Sequence, residues 1–121
     1  MKVAVIGSRE ITDQDLIFDV LKKYQIKEVI SGGARGVDSI AEKFTKLNAI
    51  PVTIFKPDWK KFGKAAGPIR NRTIIDNADI VVAFWDKKSR ETLDATKCAI
   101  KIGKTVNVYQ VVNNEINNTR D

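Results

Sequence analysis

Short apolar runs alternate with amphipathic helical patterns along most of the chain. Five of these runs have the length and composition of buried strands: 3–6, 28–30, 52–55, 80–84 and 105–109. The segments between them carry apolar residues at helical spacing, and strands that alternate with helices are typical of a parallel sheet. The pattern therefore predicts an α/β fold: a single Rossmann-like, three-layer domain over residues 1–112, with a mostly parallel sheet of about five strands.

Four helices are predicted between these strands. In three of them apolar residues recur at i, i+3, i+4 and i+7, starting at positions 17, 37 and 95. The second helix begins directly after Gly36, and the fourth ends at Gly103, which suits the C′ position. Pro68 suits the first turn of the third helix, which we expect to run to about residue 77. This arrangement places Cys98 in the core.

Composition narrows the possible chemistry. The chain has 121 residues, no histidine and one cysteine, which excludes a disulfide framework, a cysteine-rich zinc site and a Ser/His/Asp triad. Any catalysis must therefore use carboxylates, hydroxyls or cations. We expect no required metal, although Mg²⁺ can accompany a phosphate ligand. The first apolar run is too short for a signal peptide or a membrane span, so we expect a cytoplasmic protein with no membrane partner.

The loop after the second strand carries the most informative motif. Three glycines fall within five residues in Ser31-Gly32-Gly33-Ala34-Arg35-Gly36, and Val37-Asp38 then open a helix. Glycines let an anion approach the main chain, and a helix N-terminus offers free N–H groups and a partial positive charge. The motif is neither a P-loop nor the dinucleotide G-x-G-x-x-G. It indicates a phosphate site or a tight turn, and Arg35 favours the phosphate site.

The first strand ends similarly, in Gly7-Ser8-Arg9. In doubly wound sheets, ligands bind outside the carboxyl ends of the strands, so both glycine loops should open onto one crevice. The alternative for Arg9 is a solvated loop residue. The net charge of +6 agrees with an anionic partner, but it does not separate a nucleotide from a nucleic acid.

Two further loops are predicted at the same edge. The long segment 55–71 is interpreted as a lid or a base-stacking wall, with Asp58, Trp59 and Lys64 as candidate ligand contacts. Burial beneath the loop is an equal alternative for Trp59. Arg70 and Asn71 follow, and they can contact a phosphate or ribose unless Arg70 only forms a surface salt bridge.

The loop after the fourth strand adds three candidates. These are Trp85, Ser89 and Thr92. Capping of the following helix is the more ordinary use of Ser89 or Thr92.

Together these segments resemble the SLOG superfamily (the DprA/Smf and LOG relatives), and within it the small YspA-like branch. The resemblance rests on five segments in order: Gly7-Ser8-Arg9; the glycine loop from Ser31 to Asp38; Pro57-Asp58-Trp59; Gly63-Lys64-Ala65-Ala66-Gly67-Pro68-Ile69-Arg70-Asn71; and Ala78-Asp79 leading to Ala83-Phe84-Trp85-Asp86. It covers almost everything before the polar tail, residues 113–121, to which we assign no function.

The resemblance implies a nucleotide-binding domain, acting as a sensor in some relatives and as a phosphoribohydrolase in the LOG branch. Arg70 would match the arginine of that hydrolase, but Ala95 stands where its glutamate would be. Lys87 and Glu91 stand where closer relatives usually have glycine, and they would crowd or repel a phosphate. These departures argue against hydrolysis of the LOG type, and Arg70 and Asp58 stand as the candidates for catalysis.

The sequence supports three functions. The preferred one is binding of a phosphate-bearing nucleotide or nucleotide-derived ligand by a sensor, carrier or sequestering protein. The alternatives are an N-glycosidic hydrolase of nucleoside monophosphates and a single-stranded nucleic-acid binder. We also expect a homo-oligomer.

Overall fold

The computed structural model describes residues 1–112 and 115–116. Six strands form one sheet in the order β3-β2-β1-β4-β5-β6. Their bounds are β1 Lys2–Gly7, β2 Glu28–Ser31, β3 Val52–Ile54, β4 Ile80–Trp85, β5 Thr105–Val112 and β6 Glu115–Ile116. Strands β1 to β5 are parallel, and β6 pairs antiparallel with the end of β5. The predicted fold class is confirmed.

Within the described residues, five α-helices connect the strands. Their bounds are α1 Gln14–Leu21, α2 Val37–Leu47, α3 Trp59–Phe62, α4 Ala66–Asp76 and α5 Arg90–Lys101, and a 3₁₀ helix, Gly63–Ala65, joins α3 to α4. No helix among the described residues is long and apolar enough to cross a membrane.

Two hydrophobic cores lie on opposite faces of the sheet. Alternate residues of β1 divide between them: Val3 and Val5 pack with α1 and α2, whereas Ala4 and Ile6 pack with α4 and α5. This division is expected, because successive side chains of a strand point to opposite faces. Cys98 packs against the second core and is only partly buried.

The helix ends follow local sequence signals. Ser89 caps α5 by accepting a hydrogen bond from the Thr92 N–H, and Gly103 has φ of 88° just beyond the end of that helix. Pro68 is the third residue of α4, where its missing N–H costs no hydrogen bond. The predicted place of Pro68 in a first turn is confirmed, and Ser89 has the capping role that was the alternative to ligand binding.

The segment 55–71 is different from the predicted long loop. Most of it is helical, because α3 and the 3₁₀ helix lead directly into α4. The Asp58 carboxylate accepts a hydrogen bond from the Lys61 N–H and so caps α3, which provides the local reason for the helix. Of the predicted tail, only residues 115–116 are described, as β6; positions 113–114 and 117–121 lie outside the described residues.

The order of the strands positions the site. Strand β1 has β2 on one side and β4 on the other, so the chain reverses its direction of winding at β1. The loops after β1, β2 and β4 therefore meet at one end of the sheet, which is where doubly wound folds bind ligands.

Candidate functional site

The loops after β1 and β2 are in direct contact. Gly36, at the start of α2, has φ of 75°, and a Cβ atom there would lie 2.6 Å from the carbonyl oxygens of both Ser8 and Arg9. The Val37 N–H donates a hydrogen bond to the Ser8 carbonyl at 3.3 Å. Glycine is thus needed at this position for the close packing of the two loops as well as for the backbone angle.

Two other motif glycines also make room for neighbours. A Cβ on Gly7 would lie 2.6 Å from the Val37 side chain, so Gly7 allows α2 to approach β1. A Cβ on Gly32 would lie 2.5 Å from the Arg70 guanidinium. Packing alone therefore accounts for these two glycines, and the case for a ligand must rest on charged side chains.

The Arg70 guanidinium is buried and held against the β2–α2 loop. Its Nη1 donates to the Gly32 carbonyl at 2.8 Å and to the Phe55 carbonyl at 3.4 Å, and its Nε donates to Asn71 Oδ1 at 2.8 Å. Arg70 thereby joins the loop after β2 to the end of β3. Its observed contacts position the backbone, so the alternative of a surface salt bridge is wrong, while the predicted phosphate or ribose contact stays a prediction.

Ser8 and Asp86 connect the loops after β1 and β4. The buried Ser8 hydroxyl donates to Asp86 Oδ2 at 2.7 Å, while Asp86 Oδ1 accepts from the N–H groups of Lys88 and Ser89. Partial burial raises the pKa of Asp86, but these hydrogen bonds outweigh it and hold the pKa below its usual value. Asp86 is therefore a charged anchor between two loops.

Asp38 is a buried carboxyl group in the first turn of α2. Its Oδ2 accepts a hydrogen bond from the Ala34 N–H at 3.1 Å. Burial raises the pKa of Asp38 from 3.8 to about 6, although the Ala34 hydrogen bond and the Arg70 charge act in the opposite direction. Asp38 thus stabilises the turn of the glycine loop at the cost of burying a charge near neutral pH.

We expect Asp38→Asn to stabilise the protein at pH 7. A carboxyl whose pKa rises on folding contributes full stability below its unfolded value of 3.8 and loses it as the pH passes about 6. The amide oxygen keeps the Ala34 hydrogen bond without the charge, so the gain at pH 7 should approach about 3 kcal/mol. Urea unfolding at pH 7 and pH 3 measures this, with no gain expected at pH 3.

The matched control is Asp94→Asn, which removes an exposed carboxylate from α5. At both pH values its free energy of unfolding should stay close to that of the native protein. An Asp38→Asn protein that is no more stable than the native protein at pH 7 would contradict the prediction.

Arg9 and Arg35 are exposed and paired with acidic residues. Arg35 Nη2 lies 2.7 Å from Glu10 Oε2, and Arg9 Nη2 lies 3.9 Å from Glu91 Oε1. Exposed ion pairs of this kind stabilise a protein by about 1 kcal/mol at most. Both guanidinium groups can therefore exchange their partner for a ligand anion at little cost.

Two clefts open at this end of the sheet. The first, here called the cationic cleft, has a volume of about 340 Å³ and is lined by Arg9, Gly32, Gly33, Ala34, Arg35, Lys56, Pro57, Trp59 and Arg70. The second, here called the mixed cleft, has a volume of about 690 Å³ and is lined by Gly7, Ser8, Arg9, Glu10, Ile11, Asp86, Lys88, Ser89, Arg90, Glu91, Val111 and Val112.

The two clefts differ in charge. Four cationic side chains and no carboxylate line the cationic cleft, whereas three cations and three carboxylates line the mixed cleft. A narrow gap of about 20 Å³ shares lining residues with both, among them Arg9. Arg9 therefore lines both clefts and the gap.

Comparison with known proteins identifies the family. A model of the family described as "YspA, cpYpsA-related SLOG family" matches residues 1–62. This chain belongs to that family. The gene 61 protein of Mycobacterium phage D29 is 31% identical over 113 residues, which cover 84% of this chain and 90% of the phage protein. No solved structure matches the chain significantly.

Membership confirms the resemblance to the SLOG superfamily and its YspA-like branch. It associates the chain with nucleotide-related ligand binding or a related activity. The matched region, residues 1–62, includes β1, β2 and the glycine loops that lead out of them.

The structure of this SLOG family member brings most of the predicted residues together. Trp59 lines the cationic cleft with 53% of its surface exposed, so it is not buried beneath the segment that carries it. Ser89 lines the mixed cleft, and Asn71 and Thr92 line the gap.

Five predicted residues do not line the two clefts or the gap: Ser31, Gly36, Asp58, Lys64 and Trp85. Asp58 caps α3, Lys64 is exposed in the 3₁₀ helix, and the Trp85 indole donates to the Ser89 carbonyl at 3.0 Å. Ser31 is buried at the end of β2, and its hydroxyl has no hydrogen-bond partner among the described residues. No group of acidic, cysteine or histidine side chains in the described part of the chain is arranged to hold a metal ion.

Sequence reasoning missed Lys56 and Glu10, which line the cationic and mixed clefts respectively. Lys56 lies two residues beyond β3, and Glu10 comes immediately after the Gly7-Ser8-Arg9 segment. Their location at the carboxyl ends of parallel strands was the signal that could have identified them.

Proposed function

We propose that the protein binds a phosphate-bearing nucleotide or nucleotide-derived ligand at the carboxyl edge of the sheet, as a sensor, carrier or sequestering protein. The observation that carries the proposal is the charge of the cationic cleft, where Arg9, Arg35, Lys56 and Arg70 are present without any carboxylate. A concave surface lined by cations without carboxylates favours an anionic ligand, and the exposed ion pairs of Arg9 and Arg35 can open at little cost.

The side chains of this cleft suit the two parts of a nucleotide. The exposed guanidinium groups of Arg9 and Arg35 can form paired hydrogen bonds to phosphate oxygens, which arginine makes more readily than lysine. The exposed indole ring of Trp59 offers a flat apolar face for a base. Arg70 supports the proposal differently, because its hydrogen bonds hold the Gly32 carbonyl in place beneath the cleft.

Thermal stability with and without nucleotides tests the proposal. A ligand at one hundred times its Kd should stabilise the native protein by about 2.7 kcal/mol. We expect a clear rise in Tm with at least one member of a panel of AMP, ADP-ribose, NAD and cyclic nucleotides. In Arg9→Ala, a loss of affinity of about tenfold would reduce the stabilisation to about 1.4 kcal/mol at the same concentration.

Arg72→Ala provides a matched control for Arg9→Ala. Both arginines are about half exposed, at 55% for Arg72 and 49% for Arg9, and each forms one ion pair. Arg72 lies outside both clefts, so its removal should leave the ligand-induced rise in Tm unchanged. A rise that is equally large in Arg9→Ala would contradict the proposed site, and no rise with any nucleotide would contradict the proposed function.

The same samples separate the alternative functions. Release of free base from a nucleoside monophosphate would indicate an N-glycosidic hydrolase instead of a binding protein. Binding of single-stranded oligonucleotides that weakens steeply with salt would indicate a nucleic-acid binder, because phosphate neutralisation releases counterions.

A further inference from the structure

Glu91 is the second residue of α5, and its carboxylate lies beside Arg9, which lines both clefts. One oxygen, Oε1, is 3.9 Å from Arg9 Nη2. The other, Oε2, lies against α4, at 3.1 Å from where a Cβ on Gly67 would be. Glu91 lines both the mixed cleft and the narrow gap. Its side chain is 45% exposed and lines the mixed cleft, so the carboxylate is accessible to a ligand there.

The charge of Glu91 affects the interior of the site as well. Burial is the main cause of the raised pKa of Asp38, and the negative charge of Glu91 adds to it. A phosphate placed at the first turn of α5 would face that same charge. The partial positive charge at the N-terminus of α5 already interacts with the Glu91 carboxylate, which lies in the first turn of the helix.

From this geometry we propose that Glu91 makes the site selective for nucleotides whose phosphates carry an uncharged sugar at their far end. This inference rests on the proposed function. The ligand phosphates lie in the cationic cleft, and the group beyond them lies in the mixed cleft beside Glu91. A third phosphate in that place is repelled, whereas ribose hydroxyls donate hydrogen bonds to the carboxylate.

The chemistry of the mixed cleft agrees with a sugar. Carboxylates accept hydrogen bonds from ribose hydroxyls in many dinucleotide sites, so an acidic side chain is a suitable partner. The Asp86 carboxylate is already occupied by Ser8 and two backbone N–H groups, which leaves Glu91 as the more available acceptor near Arg9. The volume of about 690 Å³ is also large enough for a sugar.

ADP-ribose and ATP form a matched pair of probes for this inference. They share the adenosine diphosphate part and differ in the group attached to its terminal phosphate, which is a ribose in one and a third phosphate in the other. Calorimetry without Mg²⁺, which would mask the phosphate charge, should show that the native protein binds ADP-ribose at least about tenfold more tightly than ATP. Glu91→Gln should bind ATP about tenfold more tightly than the native protein does and so lose most of the preference.

Asp94→Asn is the control, because it removes the same charge from the same helix at an exposed position outside both clefts. It should keep the native preference. Equal affinity of the native protein for the two probes, or unchanged affinity of Glu91→Gln for ATP, would overturn the role of Glu91 and leave the proposed function standing. Absence of binding to both probes would also overturn the role of Glu91, and the proposed function would fall with it only when AMP, NAD and the cyclic nucleotides fail to bind as well.

Discussion

Gly36→Ala should lower the free energy of unfolding by about 4 kcal/mol, which is a large share of the stability of a small domain. The φ of 75° at Gly36 is unfavourable for alanine and costs about 1–3 kcal/mol. The new methyl group would also overlap the carbonyl oxygens of Ser8 and Arg9, which lie 2.6 Å from its position, and such overpacking costs about 1–3 kcal/mol more. Chemical denaturation of the native protein and of Gly36→Ala measures the sum of the backbone and overpacking costs.

Gly103→Ala separates these two contributions. Gly103 also has a positive φ, of 88°, but a Cβ there would meet nothing within 4 Å. Only the backbone cost should remain, at about 1–2 kcal/mol. If Gly36→Ala were no more destabilising than Gly103→Ala, the contact between the loops after β1 and β2 would not be as close as the structure indicates.

Arg70→Ala should be comparably destabilising, by about 4 kcal/mol. The substitution removes a buried guanidinium and leaves the Gly32 and Phe55 carbonyls without this donor. Hydrogen bonds to charged groups contribute about 1.5–3 kcal/mol each, and truncation of the side chain adds the loss of packing. The pKa of Asp38 should rise above about 6, because Arg70 is one of the groups that lower it.

Two variants accompany the Arg70 experiment. Arg70→Lys keeps the charge, but its ammonium group cannot donate to both carbonyls and to Asn71 as the planar guanidinium does. Its free energy of unfolding should therefore lie between those of the native protein and Arg70→Ala. Arg72→Ala, two positions along the same helix and exposed, should leave the unfolding midpoint unchanged. A stable Arg70→Ala protein with an unaltered pH dependence would contradict the role assigned to Arg70.

The fold could be predicted because its signals are local. Runs such as 80–84 are apolar throughout, since β4 lies between β1 and β5 and is covered on both faces. Pro68 and Gly103 mark a helix start and a helix end through their own backbone restrictions. Residues 59–67 were mispredicted as a loop because the glycines and lysines there obscured the cap that Asp58 provides.

Only one feature of the site could be predicted, namely which residues lie at the carboxyl edge of the sheet. Parallel strands bring Arg9, Arg35 and Trp59 to one end whatever their side chains do, and this part of the prediction needed only that the sheet be parallel and doubly wound. The direction of a long side chain is a tertiary property. Nothing local distinguishes Arg70, which points into the protein, from the exposed Arg72 two residues later, so the partners of each could not be read from the sequence.

The hydrogen bonds among the loops have a consequence for the entropy of binding. Ser8 is held by Asp86, the Ala34 N–H by Asp38, and the Gly32 carbonyl by Arg70, all within the protein itself. Backbone groups that are fixed in this way lose their conformational freedom during folding, before any ligand arrives. A ligand then has only the exposed side chains around the clefts to immobilise. Its affinity should therefore depend mainly on the contacts that it makes, and little on the entropy of ordering the loops.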